Sequence, residues 1–391
     1  MMIPERPSLE RRVLAALDGQ SGGGARIPVV LGGCGSGRTA LLLRLRDLVG
    51  RSSAQYVDVE RVATTPERFL KALRDAAPFP SHDPAAAPEG AREAFDASLA
   101  FLTAARAPGD APATFLLDEF LELRTFESFP GLRSALRDLT GALAASSNRF
   151  VLSTRYVARA HRLLRDAPPR FEIIHVAPLT ATEVRATLGG PSSDRASAGL
   201  EDEDDRSRDD LVRLVQALSD GRPAYARMIM VAAAALDPRG AADPVSAMTA
   251  LLGPDGALSN ACRFCYELRL HRARGYGALK AILEVLAEEE PLTLTEIAHR
   301  LRRTPGSTKD YLSWLEDVDL IISRQKRYSF TDPLLRLWVR LHCRPAPPSD
   351  EEIAREVHGY VLARMPLVEP ALAVAGRTAE TSKNWGIIEI D

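Results

Sequence analysis

The 391-residue sequence is short of several things at once. It has four cysteines, Cys34, Cys262, Cys265 and Cys343, too few and too scattered to staple a chain of this length, which excludes a disulfide scaffold. No run approaches the roughly 18 uninterrupted apolar residues of a membrane span, and the opening MMIPERPSLERR lacks the apolar segment of a signal peptide. The expectation is a cytoplasmic protein with no membrane partner. Neither charge is in excess: 50 Lys and Arg against 52 Asp and Glu leave a formal net charge of −2 at pH 7. The totals therefore point neither to a polyanion binder nor to a membrane-surface protein. What the length does provide is material for two or three domains.

The first half alternates apolar runs with helical patterns, the signature of a parallel sheet covered by helices. Candidate strands are 27–31, 55–59, 113–117, 150–154 and 173–176, each short and apolar as a strand buried on both faces should be. PFPSHDPAAAPEGA between the second and third reads as a surface loop leading into a helix at 92–105. Thr180 with Glu183 three positions on caps the helix after the last strand. The stretch GGPSSDRASAGLEDEDDRSRDD then interrupts any pattern and reads as a solvated excursion, the alternative being a partner-binding segment. Helical periodicity resumes at 211–218, breaks at SDGRP and returns in AYARMIMVAAAAL, an all-helical module. From Leu279 onward, three short helices, a strand, a charged turn and a strand follow in the order of a winged-helix domain. A proline break, RPAPPSDEE, precedes a helix at 352–365, and the closing NWGIIEID suggests a terminal strand or ordered peptide.

Between the first strand and a leucine-rich helix, Gly32 through Thr39 match the phosphate-binding pattern GxxxxGK[ST], with Arg38 where lysine is expected. Gly32, Gly33, Cys34, Gly35, Ser36, Gly37, Arg38, Thr39 and Ala40 are the candidate cradle. Glycines let consecutive backbone N–H groups converge on one anion, and the helix starting near Arg38 adds the positive end of its dipole. Thr39 offers its hydroxyl to Mg²⁺. The competing reading is a glycine-rich turn without a ligand. TFLLDEF supplies the two acids a nucleotide site requires: Asp118 for the metal and Glu119 for the attacking water. Two acids at a strand end also suit a helix N-terminus. Cys262 and Cys265 form a CxxC with no second pair, which favours helix packing over zinc or redox work.

The set GGCGSGRT, FLLDE, FVLSTR and GRPAYARM resembles the P-loop ATPases of the AAA+ and STAND type, especially the prokaryotic, archaeal-type ATPase family that ends in a winged helix. That resemblance covers roughly residues 6–343. It implies an α/β fold, a P-loop NTPase parallel sheet of AAA+-like kind followed by a helical lid and a winged-helix domain, with ATP and Mg²⁺ as cofactors. ERPSLERRVLAAL resembles the family segment that contacts adenine, with Arg6 and Leu9 at matching places and Ile3 nearest the missing aromatic. FVLSTR resembles the sensor strand, which puts Ser153 or Thr154 near the γ-phosphate; a plain turn former is the alternative. Arg170 takes the place of a basic residue before the fifth strand, an arginine finger for its own or a neighbour's nucleotide, or else a surface arginine. Arg222 and Pro223 stand in a turn of the G-N-P type, a second sensor or a plain cap. YSFTDPLLRLWVRL resembles the end of the family's winged helix. The resulting division is 1–190 for the ATPase domain, 191–258 for the lid with its acidic loop, 259–345 for the winged helix and 346–391 for a C-terminal tail.

Arginine is larger than lysine, planar, and binds through a fork. Arg38 is therefore expected to keep nucleotide affinity while slowing hydrolysis. Two functions compete: an ATP-hydrolysing switch, and a DNA-binding regulator whose nucleotide site is regulatory or inactive. For the second, STKDYLSWL would expose Ser307, Thr308 and Lys309 as a recognition helix, with Arg324, Lys326 and Arg327 on the wing. Against it, residues 277–344 hold eleven Lys and Arg and ten Asp and Glu, too balanced for a phosphate-contacting face. A third possibility is a scaffold that assembles on ATP, although no repeat array is visible. Expected partners are ATP or ADP, duplex DNA through the winged helix, and a homo-oligomer or protein partner.

Overall fold

The computed structural model describes residues 6–19, 24–79, 88–187, 201–236, 243–271 and 275–365. Helix α1 (Pro7–Asp18) leads into β1 (Ile27–Leu31), α2 (Arg38–Val49), β2 (Ala54–Asp58), the single turn α3 (Val59–Val62), α4 (Pro66–Asp75) and α5 (Ala91–Ala104). A two-residue ribbon, β3 (Arg106–Ala107) with β4 (Ala111–Pro112), precedes β5 (Thr114–Asp118). A 3-10 segment (Phe120–Ser128), α6 (Ala135–Ala145), β6 (Arg149–Thr154), α7 (Val157–Arg165) and β7 (Phe171–His175) complete the first half.

Five of these strands form one parallel sheet in the order β2-β5-β6-β1-β7, the AAA+-like P-loop arrangement, with β1 in its interior. All residues of β1 and β5 are buried, as crossovers that cover both faces require. Alternation then sorts the side chains. Val30, Leu116 and Val151 meet Val13 of α1 and Leu41, Leu42 and Leu45 of α2 on one face. Val29, Phe115 and Phe150 join Phe69, Phe95 and Phe126 on the other. Each such side chain contributes roughly 1.5–3 kcal/mol on burial. The pairing Leu31↔Thr154 and Asp58↔Asp118 aligns the carboxyl ends of the strands, so the loop after β1 and the acids of β5 come to the same edge.

Helices α8 (Ala181–Thr187), α9 (Glu201–Ser219), α10 (Pro223–Leu236), α11 (Pro244–Leu251) and α12 (Ala257–His271) follow. Next come α13 (Tyr276–Glu288), β8 (Leu292–Thr293), α14 (Leu294–Arg300), α15 (Pro305–Asp317) and the hairpin β9 (Ile321–Arg324) and β10 (Arg327–Phe330), paired in the order β8-β10-β9. Helices α16 (Pro333–His342) and α17 (Asp350–Leu362) close the described chain. Trp338 of α16 donates its indole N–H to Ser259 Oγ of α12 at 2.9 Å, and one apolar core runs continuously from the sheet into this unit.

Three expectations change. Half of the acidic stretch is not an excursion: the backbone is helical from Glu201 onward. Thr308 is not exposed on α15; it is buried and its hydroxyl donates to Thr304 O at 3.0 Å. Asp118 is the last residue of β5 itself, one position beyond the expected strand end. NWGIIEID lies outside the described residues. Among the described residues no helix is long and apolar enough to cross a membrane.

Candidate functional site

The loop between β1 and α2 turns through two left-handed glycines, Gly35 at φ +74° and Gly37 at φ +88°, a region that side chains rarely tolerate. At Gly33 a Cβ would lie 3.0 Å from Arg222 Nη1, so a larger residue would press on the end of that side chain. Gly37 precedes α2 and offers no side-chain cap, so the first amides of that helix remain available to an anion. Helix α10 meets the loop from the other side, with Ala224 N donating to Gly35 O at 3.2 Å. A cleft of about 380 Å³ opens between them, bounded by Gly35–Ala40, by Arg6 just before α1, by Glu10 of α1, and by Pro223 and Arg227 of α10.

Asp118, buried at the tip of β5, gathers three hydroxyls. Its Oδ2 accepts from Thr39 Oγ1 at 2.6 Å and from Tyr56 OH at 3.0 Å, and its Oδ1 accepts from Ser153 Oγ. Burial and then the Asp118 charge push the Tyr56 hydroxyl far up, so it stays a donor. Glu119 follows in the left-handed region at φ +55°, a strained setting for a non-glycine residue. That twist turns its carboxylate into a clamp of two arginines. Oε1 lies 2.5 Å from Arg38 Nη2 and 3.0 Å from Arg155 Nε. Oε2 accepts from Arg155 N at 3.0 Å and from Thr154 Oγ1 at 3.5 Å. Burial alone would raise the Glu119 pKa, but Arg38, Arg155 and the Arg155 amide outweigh it and hold the group below its usual value, ionised.

Arg38 is folded back into its own loop. Nη1 donates to Gly32 O, to Gly33 O at 2.7 Å and to Ser36 Oγ at 3.3 Å, while Nη2 engages Glu119. A lysine has one nitrogen and could not span loop carbonyls and a carboxylate at once.

The other expected residues divide. Arg6 lines the cleft, with Nη2 donating to Ala177 O at 2.7 Å and Nε 3.4 Å from Glu183. Pro223 opens α10 against Gly37, 3.4 Å from a Cβ built there. Arg222 reaches the loop but spends its donors elsewhere: Nη1 bonds Cys34 O at 2.7 Å and pairs with Asp332 at 2.9 Å, and Nη2 bonds Thr331 O at 3.1 Å. It ties the loop to the C-terminal unit. Arg170 must be corrected. It precedes β7, and its carbonyl accepts from Ile27 N at the start of β1, roughly 16 Å from the loop at about 3.3 Å per strand residue. Its guanidinium donates to Leu143 O, Ala144 O and Ser146 O and so closes the C-terminal end of α6, where a cation is favoured. It is no catalytic group for its own chain's site.

Sequence reasoning missed Arg155, although it directly follows FVLST, and Tyr56, which nothing local marks. It also missed a link from the CxxC to the loop. Cys34 Sγ accepts from Arg269 Nη2 of α12 at 2.9 Å and from the Cys265 thiol. The Cys265 hydrogen bond first, then Arg269, Arg155 and Arg38, hold the Cys34 thiol well below its usual pKa against the opposing effect of burial. The same bond and burial push Cys265 up.

For magnesium and a nucleoside triphosphate the residues fit. The glycine cradle leaves room beside the uncapped helix start, and Thr39 and Asp118, both hard oxygen donors, meet at one point.

No family model and no curated protein matches this chain. Among solved structures it is similar to a Walker-type ATPase of Pyrococcus abyssi, with 18% identity over 86% of this chain and 96% of that one and a TM-score of 0.62. It is also similar to an Aeropyrum pernix Orc1 protein in complex with DNA (19% identity, 93% and 94% covered, TM-score 0.42) and to the Thermotoga maritima RuvB Holliday junction branch migration motor (12%, 84% and 92%, TM-score 0.39). At these identities the likeness is one of fold, that of the AAA+ P-loop ATPases.

Proposed function

We propose that this chain binds ATP with Mg²⁺ in the cleft beside Gly32–Thr39 and hydrolyses it slowly, acting as a switch of the AAA+ and STAND type coupled to a C-terminal winged helix. One observation carries the reading: the 2.6 Å contact between Thr39 and Asp118 at the foot of an uncapped, glycine-turned helix start. Magnesium, when bound there, would offset charge on the phosphates and hold them in place. Thr39 and Asp118 would hold it, the loop amides and the start of α2 would hold the anion, and Arg227 would add a cation from α10. Glu119 is the group that orients water. Its two arginine partners and depressed pKa make it a weak base until Arg38 lets go, which accounts for slow turnover. Thr154 keeps Glu119 in register. Arg6 borders the base, and Arg222 reports loop position to Asp332. In this reading the ATPase domain spans 1–190, the lid 191–258, the winged helix 259–345 and the tail 346–391.

The test is nucleotide binding measured beside steady-state phosphate release for wild type, Thr39→Ala and Glu119→Gln. Loss of Mg²⁺-dependent binding in the first and loss of release in both is expected. Undiminished release by Glu119→Gln would remove the catalytic assignment.

A second reading, a DNA-binding regulator, draws on the exposed hairpin turn at Lys326 and Arg327 and on exposed Ser307 and Lys309 at the start of α15. A mobility shift on duplex DNA that is abolished by Lys326→Glu with phosphate release unchanged would favour it.

A further inference from the structure

A recess of about 490 Å³ that shares no lining residue with the nucleotide cleft lies among the 3-10 segment after β5, the start of α6, α7 and the end of α15. Five arginines line it: Arg124, Arg133, Arg137, Arg159 and Arg162. They come from three separate stretches of chain, yet converge. Arg159 and Arg162, three apart on α7, share one face, and Arg133 and Arg137 flank the first turn of α6. Only two acids, Glu127 and Asp317, line the same space, and each is taken: Glu127 lies 3.7 Å from Arg124, and Asp317 pairs with Arg162. Among the described residues, Arg133, Arg137 and Arg159 have no acid at ion-pair distance.

Arg159 is the telling member. Its Nε is buried without an acceptor, and its guanidinium lies 5.1 Å from the centroid of the Tyr156 ring, held in place without being neutralised. Burial first, then Arg124 and Arg162, pushes its pKa below the usual arginine value, and the opposing pull of Asp317 and Tyr156 does not make up the difference. The remaining four lie exposed around it, so the recess has a cationic floor and a cationic rim.

We propose that this recess binds the phosphodiester backbone of a nucleic acid. Planar guanidinium forks match phosphate oxygens, and an open rim of spread cations suits a chain of phosphates, whereas one small phosphate would leave most of the arginines unmatched. Because the whole chain carries a net charge of −2, attraction for a polyanion has to come from a local surface of this kind. The surface is separate from the start of α15 and from the β9–β10 turn, and it stands whether or not the nucleotide cleft hydrolyses ATP.

The test uses the full chain and labelled duplex and single-stranded DNA of arbitrary sequence, with binding followed by anisotropy across a KCl series. Arg133→Glu/Arg137→Glu is the informative variant, since both side chains are exposed and unpaired; thermal melting and phosphate release check that it is folded. The expected result is at least a tenfold loss of affinity at moderate salt and a log–log salt slope shallower by about two. A control, Lys326→Glu/Arg327→Glu, should keep most of that slope. Wild-type-like binding by the recess variant, or no binding by the wild type at low salt, overturns the proposal. So does a recess-dependent rise in melting temperature with pyrophosphate in a protein that ignores DNA, since that outcome assigns the recess to a small phosphate ligand. ATP-dependent self-association lost in the recess variant without any DNA binding would likewise overturn it.

Discussion

The two arginine-rich regions of this protein differ in one respect, the matching of charge. Around the phosphate loop, Arg38 and Arg155 share Glu119, Arg155 also engages Glu60, and Arg222 pairs with Asp332. In the recess beside α7 three arginines have no acid at ion-pair distance among the described residues, and Arg124 and Arg162 crowd the buried Arg159. Matched buried charge holds a conformation, because removing one partner leaves the other stranded. Unmatched, half-exposed charge holds nothing in the chain and is free for a ligand.

The contrast can be broken most forcefully at Glu119. Glu119→Ala leaves two buried guanidiniums without their carboxylate and should cost about 3–5 kcal/mol in urea unfolding. A loss under about 1 kcal/mol would mean that the clamp does not hold the loop. Asp319 comes next, a buried carboxyl at the turn after α15 that burial lifts to about 6, with Arg269 opposing. Its folded pKa exceeds an unfolded value of about 3.9, so its contribution is fully present below about pH 4 and is lost as pH rises through about 6. Asp319→Asn, which keeps the left-handed backbone at φ +59°, should add about 1–3 kcal/mol at pH 7 and nothing near pH 3. Equal stabilisation at both pH values would exclude a titration effect.

Arg38→Lys sharpens the comparison from the functional side. A lysine cannot bridge Gly33 O and Glu119, so phosphate release should rise about tenfold, close to 1.4 kcal/mol in barrier, with nucleotide affinity nearly unchanged. An unchanged rate would end the account of slow turnover. Cys34 offers a pH readout of the same matched region. Its depressed pKa means that its stabilising share is present above about 8.5 and lost as pH falls through the lowered value. Mass-spectrometric mapping of iodoacetamide labelling should therefore find Cys34 modified at a lower pH than Cys343, whose thiol burial pushes up. The smallest effect belongs to the recess: Arg137→Ala should shift stability by less than about 0.5 kcal/mol, since no partner is stranded.

Sequence grammar reached the phosphate loop because its requirements are local. Glycines at left-handed positions, a helix start at Arg38 and a strand ending on Asp118 all lie within short windows. It failed where partners come from afar. Arg170 stands in a plausible place along the chain, but the parallel register puts it at the far edge of the sheet. Pro223 opens α10 as expected, while the bonds of the preceding Arg222 to Thr331 and Asp332 cross more than a hundred residues. The acidic run misled because charge density resembles solvation, whereas the backbone from Glu201 is helical.

By itself the amino-acid order determined the alternation of buried strands and helices and the glycine-turned loop between β1 and α2, because periodicity and backbone conformation are set by near neighbours. Which arginines find a carboxylate and which are left facing open space was decided only by the tertiary structure. Coulomb interactions depend on separation in space, and folding brings Glu119 to Arg38 but leaves three arginines of the recess without an acid at ion-pair distance among the described residues.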